Sequence, residues 1–164
     1  ALGLKHEEII VAMARYPGLA HRMQWLGRAK GMQFINDSKA TNADAAEKSL
    51  RTYDYIYWIV GGEAKEGGIE SLVKYFPRVR HAYLIGAAAK AFEKTLSGKV
   101  QFTQCGTLAA AFERAVKDAE KDRVKDAAIL LAPACASFDQ FANFEARGDA
   151  FVALFEAWKT THET

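Results

Sequence analysis

Apolar and polar positions change period several times along this chain. Leu4, Ile9, Ile10, Met13 and Ala14 recur at helical spacing, and "YPGLA" ends this predicted amphipathic helix with proline and glycine. "HRMQWL", "GRAKG" and "MQFIND" follow as strand, turn and strand, a hairpin whose return limb delivers Asp37. An alanine-rich helix begins near Thr41. Beyond it, the short apolar runs "YDYIYWIV", "RHAYLIG", "KVQFTQ" and "AAILLAP" read as strands. Each leads into a segment of helical period: "IESLVKYF", "AAAKAFEKTL", "TLAAAFERAVKDAEK" and the closing "SFDQFANFEARGDAFVALFEAW".

Strands that alternate with helices impose right-handed crossovers, and so a parallel sheet covered on both faces. The expected fold class is α/β. It is a Rossmann-like three-layer sandwich whose mainly parallel sheet of about six strands carries one antiparallel edge strand from the hairpin. No repeat, low-complexity tract or linker divides residues 1–164, so a single domain is expected.

Composition narrows the function classes. Half of the 164 residues are hydrophobic, enough for a continuous core without disulfides or metal. The 22 basic and 20 acidic residues are interleaved to a net charge of +2, so no one-sign field draws in nucleic acid or a membrane surface. Small partners of mixed charge are favoured. Cys105 and Cys135 lack metal-ligand spacing and read as free thiols, which suits a reducing, cytoplasmic compartment. The first segment carries charges inside its apolar pattern, unlike a signal peptide, and no apolar run approaches the length of a membrane span. The chain opens without an initiator methionine and is expected to be a piece of something longer.

The polar clusters "NDSKATN", "GGEAKEGG", "GAAAK" and "PACAS" all fall just past the carboxyl ends of predicted strands, the edge along which open α/β sheets bind ligands. Thr41 to Asp44 matches a capping box, which accounts for both residues structurally but not for Asp37 and Lys39. A lysine beside a helix amino end suits an anion, and an aspartate at a strand end suits ribose hydroxyls or an amine. "GGEAKEGG" lacks the order of a phosphate loop. Gly61 and Gly62 permit a tight turn, from which Lys65 either folds over the sheet edge toward a carboxylate or stays a solvated loop lysine. Ser137 and Gln140 match a second capping box, whose helix amino end and hydroxyl offer donors to a carboxylate or phosphate. A nucleophilic serine lacks its GxSxG context, and Cys135, behind "LLAPA", reads as an inert core thiol. His21 and Arg22 are brought near Asp37 by the hairpin.

Four pieces stand in order over nearly the whole chain: His21-Arg22, "NDSKATN" at Asn36 to Asn42, two glycines and a lysine at Gly61 to Lys65, and "APACASFDQFANFEARGDAF" from Ala132 to Phe151. Together they resemble the carboxyl-terminal domain of the Mur ligases, and within that family its D-glutamate-adding branch. The resemblance implies an ATP-dependent amide ligase of peptidoglycan precursor synthesis. In the reaction so implied, ATP would phosphorylate the carboxylate of UDP-N-acetylmuramoyl-L-alanine, and the amine of D-glutamate would attack the acyl phosphate. It also implies residue roles. Thr41 and Lys65 would bind the α-carboxylate of D-glutamate; Ser137 and the backbone around Phe144 would bind its side-chain carboxylate, with Phe138 lining the pocket. His21, Arg22 and Asp37 would face the ribose and base of ATP. Lys39 would lie near the reacting anions, the one candidate here for a catalytic role.

Glu63 stands where the family commonly has aspartate, which bears on the placement of Lys65. The phosphate loop, the magnesium-binding residues and the muramoyl-binding domain of such a ligase belong to its amino-terminal and central domains. Those domains would be this chain's partners, and the chain alone is expected to be catalytically silent. The alternatives are a sister ligase that adds another amino acid, and a stand-alone, non-catalytic binding module for an acidic amino acid or nucleotide.

Overall fold

The computed structural model describes residues 5–15 and 18–162; Leu4 and the helix break expected at Tyr16 and Pro17 lie outside the described residues. Helix α1 (His6–Arg15) precedes a hairpin of β1 (Gln24–Ala29) and β2 (Met32–Asn36). Helix α2 (Ala43–Thr52), β3 (Ile56–Gly61), the short β4 (Glu63–Ala64) and a 3-10 helix (Glu70–Arg78) follow. Next come β5 (Val79–Ile85), α3 (Ala89–Leu96), β6 (Phe102–Gly106) and α4 (Leu108–Asp122). The chain closes with β7 (Ala128–Leu131), the short β8 (Cys135–Ala136) and α5 (Phe144–His162). The main sheet has six strands in the order β1-β2-β7-β3-β5-β6, with β1 antiparallel to β2 and every other pair parallel. This is the expected doubly covered sheet with one antiparallel edge strand.

Residue alternation along the strands builds the two outer layers. Ile56, Trp58 and Val60 of β3, with Ile35, Leu84 and Leu130, pack against Leu50 of α2, Phe76 of the 3-10 helix and Phe92 of α3. Tyr57 and Ile59, with Phe34, Tyr83 and Leu131, turn to the other face and meet Phe112 of α4 and Phe151 and Phe155 of α5. Each fully buried Leu, Ile or Phe stabilises the fold by roughly 1.5–3 kcal/mol, so these layers, and not the loops, hold the sheet in place.

Local details differ from the pattern-based expectation. The hairpin turns at Lys30 and Gly31, both at positive φ, so "GRA" belongs to β1 and not to the turn. A bulge between Trp25 and Gly27 absorbs the register, and at Gly27 a Cβ would come within 3.1 Å of the Phe155 ring. "IESLVKYF" forms a 3-10 helix instead of an α-helix, with Pro77 withholding a backbone N–H from its last turn. Strands β4 and β8 pair antiparallel in a separate two-stranded sheet. Two residues are too few to show a period.

Candidate functional site

Because β2, β7, β3 and β5 are parallel, the loops that leave them share one edge of the sheet. The loop after β2 is pinned by backbone bonds: Asp37 N–H donates to the Leu131 carbonyl over 2.8 Å, and Lys39 N–H donates to the His21 carbonyl over 2.9 Å. The loop after β3 turns sharply at Gly61, where a Cβ would lie 2.0 Å from the Ile85 carbonyl oxygen. It then runs as β4 beside β8, with Glu63 opposite Ala136 and Ala64 opposite Cys135. The segments that carry Asp37, Lys65 and Ser137 therefore gather on one rim.

Arg147, which the sequence pattern did not single out, ties this rim together. Only 1% exposed, it donates from Nε to Ser38 Oγ (3.0 Å), from Nη2 to the carbonyls of Ser38 (2.9 Å) and Cys135 (3.0 Å), and from Nη1 to that of Ala136 (3.3 Å). Burial pulls its pKa down to about 10, which leaves it charged at neutral pH. Ser38 Oγ donates in turn to the Phe144 carbonyl (2.7 Å), and Asn36 Nδ2 donates to that of Gly148 (3.1 Å). A detectable signal lay beside it: Gly148 sits inside a helical run, where glycine weakens the helix unless something packs closely. Here that something is His21, whose Nδ1 would be 2.2 Å from a Cβ at Gly148.

Two clefts open on the rim. The first, of about 140 Å³, is lined by Arg22, Met23, Asp37, Lys39, Ala40, Ala45 and Lys48. Asp37 is 3% exposed; Oδ1 accepts from Met23 N–H (3.1 Å) and Oδ2 accepts from the Ser49 hydroxyl. Burial raises its pKa, while these hydrogen bonds and the nearby Arg22 and Lys48 oppose the rise. Lys39 Nζ lies 4.5 Å from the centre of the Phe144 ring, a cation–π contact that fixes its direction. His21 does not line this cleft. It is 8% exposed, with Nδ1 3.0 Å from Asn36 Nδ2 and Nε2 3.5 Å from Asp149. The second cleft, of about 310 Å³, joins Asn42 and Asp44 at the start of α2 to the exposed Lys65 and to Ala134.

Both expected capping boxes are corrected. The cap of α2 is Asn42, whose side-chain oxygen accepts from Ala45 N–H over 2.8 Å, so Thr41 lies one residue outside the helix. Asparagine is at least as good a cap as threonine, and it won the position. Ser137 heads no helix. Residues 137–140 form a turn in which Gln140 and Phe141 N–H donate to the Ser137 carbonyl, and α5 starts later, where Asn143 Oδ1 accepts from Ala146 N–H over 2.7 Å. Ser137 is nevertheless buried beside β8, Phe138 on the same turn is 69% exposed, and Phe144 opens α5. Cys135 is fully buried and burial pushes its thiol up to about 12, as suits an inert core residue.

Fold and rim together define an α/β domain with two clefts, each lined by charged and polar side chains, on one edge of its sheet. Residues 21–135 match the family described as "Mur ligase, glutamate ligase domain", and the chain belongs to that family. It is 56% identical, over 96% of its length, to the UDP-N-acetylmuramoylalanine--D-glutamate ligase of Paramagnetospirillum magneticum, and 57% identical, over 93%, to that of Rhodospirillum rubrum. It covers 35% and 32% of those proteins, so it spans about a third of the curated relatives it matches. A bifunctional folylpolyglutamate synthase/dihydrofolate synthase from Yersinia pestis shares the fold, with a TM-score of 0.62 at 21% identity over 94% of this chain and 35% of that one.

Proposed function

We propose that this chain is the carboxyl-terminal, D-glutamate-binding and ATP-covering domain of a cytoplasmic ligase that joins D-glutamate to UDP-N-acetylmuramoyl-L-alanine through an acyl phosphate. The observation that carries the reading is the gathering of residues 37–41, 62–65 and 134–137 on one sheet edge, with two adjoining clefts. In this assignment Lys65 and Thr41 hold the α-carboxylate. Ser137, the backbone at Phe144 and the Phe138 ring hold the other end. A lysine ammonium at one end and a buried hydroxyl at the other suit a substrate with two carboxylates, and the distance between them decides where the amine points.

ATP takes the Asp37 cleft, with Arg22 and Asp37 toward the nucleoside, His21 behind them, and Lys39 toward the reacting anions. Each Asp37 oxygen keeps a free lone pair for a ribose hydroxyl. In this reading magnesium is held mainly by the other domains of the ligase. Closure against those domains supplies proximity and excludes water from the acyl phosphate, so the chain alone is silent.

The test is an assay of the complete ligase carrying this domain. ADP release that requires both UDP-N-acetylmuramoyl-L-alanine and D-glutamate, and that fails with L-glutamate, is expected. ADP release driven equally by another amino acid would transfer the domain to a sister ligase.

A further inference from the structure

We propose that Lys48 is a nucleotide-binding residue that meets the phosphate chain of ATP at the Asp37 cleft, an inference that rests on the ATP-dependent reading above. Three cationic side chains from separate segments line this cleft: Arg22 ahead of β1, Lys39 after β2 and Lys48 on α2. One carboxylate, Asp37, lines it with them. That carboxylate is nearly enclosed and already accepts from Met23 N–H and the Ser49 hydroxyl. Its single charge leaves the cleft with an excess of cations, and an anion is the group that balances them.

Local geometry assigns Lys48 to this cleft and not to its neighbour. Ala45 and Lys48 are three residues apart on α2, share a face, and both line the cleft. Asp44, four residues before Lys48, is the ordinary helical partner for a lysine. It lines the Lys65 cleft instead, and no ion pair joins it to Lys48 among the described residues. Lys48 also lies close enough to Asp37 to favour its ionised form. Met23, Ala40 and Ala45 give the cleft apolar walls beside its cations. That pairing suits a nucleoside phosphate better than a free dicarboxylic amino acid.

The test is steady-state kinetics of the complete ligase with Lys48→Met and Lys48→Arg. Losing one charge-assisted contact in Lys48→Met is expected to raise KM for ATP about 10-fold or more, with KM for D-glutamate within about twofold and the melting temperature unchanged, since surface substitutions on a helix cost little. Lys48→Arg is expected to recover most of the loss. An unchanged KM for ATP, or a rise confined to D-glutamate, would overturn the role. If the wild-type ligase fails to add D-glutamate, the functional reading falls while Lys48 is judged by titration with ADP and with inorganic phosphate. Weakened ADP binding in Lys48→Met then supports the assignment, and unchanged ADP binding, or a loss confined to inorganic phosphate, overturns it.

Discussion

Ser38 grips the guanidinium of Arg147 twice, its hydroxyl accepting from Nε over 3.0 Å and its carbonyl accepting from Nη2 over 2.9 Å. The same guanidinium satisfies the carbonyls of Cys135 and Ala136, so one α5 side chain sets the loop after β2 at a fixed distance from β8. The contacts that hold it are neutral oxygens. Its desolvation is tolerated because four of its N–H groups find acceptors in a geometry that suits a planar fork.

Removing that fork should therefore be costly. Arg147→Ala strands several buried carbonyls, each worth about 1–3 kcal/mol, and is expected to lower unfolding stability by about 3 kcal/mol or more. Arg147→Lys should regain only part, because one ammonium does not span the same acceptors. Urea denaturation measures both. A loss under about 1 kcal/mol for the alanine variant would mean that the carbonyls find other donors and that the clamp does not hold the rim.

Thr41 and Asn42 separate stability from binding. Asn42→Ala removes the α2 cap and is expected to cost about 1 kcal/mol. Thr41→Val removes no cap and should stay within about 0.5 kcal/mol, while raising KM for D-glutamate about 10-fold through loss of a hydrogen bond to a charged group. Thermal melts and steady-state kinetics on the same two variants decide the matter. The reverse pattern would return the capping role to Thr41.

The contrast shows which parts of this molecule were legible in its sequence. The layered sheet was, because β3 and β7 alternate large side chains between two faces and the helices between them repeat at helical period. So was the gathering of the loops after β2 and β3 on one edge, since loops that leave neighbouring parallel strands share it. The caps were misread at single-residue precision because Thr41 and Asn42 are both good caps, and only the entry angle of the chain into α2 chooses between them. Arg147 was invisible for a different reason. Its acceptors are main-chain carbonyls near residues 38, 135 and 136, and a carbonyl is the same at every position of the sequence.

Asp37 carries a pH signature. Burial raises its pKa in the folded chain above the ordinary value of 3.8. Between the unfolded and the folded pKa the native state binds more protons than the unfolded one, so stability falls as pH rises through that window. The protonated form is the one the fold tolerates better. Asp37→Asn is expected to melt higher than wild type at pH 7 and to converge with it as pH falls toward the unfolded value, while losing ATP affinity. Melting curves across this range check the sign. A wild type that gains stability on ionisation of Asp37 would mean that its hydrogen bonds outweigh desolvation.

Gly62 tests whether the rim depends on the approach of β4 to β8. At φ +130°, a Cβ there would lie 2.3 Å from the Ala136 carbonyl oxygen and 3.2 Å from Arg147 Nη1, so Gly62→Ala must displace either the strand pair or the clamp. Gly67, at φ +85° with nothing within 4 Å of a Cβ, is the matched control. Gly67→Ala pays only the left-handed backbone cost of about 1–2 kcal/mol. Gly62→Ala adds a steric term to a comparable backbone strain and is expected to lose about 3 kcal/mol or more. Its KM for D-glutamate should rise as well, because Lys65 and Ser137 are held in register by that pairing. Equal losses in the two variants would show that β4 can move off β8 freely, and the placements of Lys65 and Ser137 would then be independent of each other.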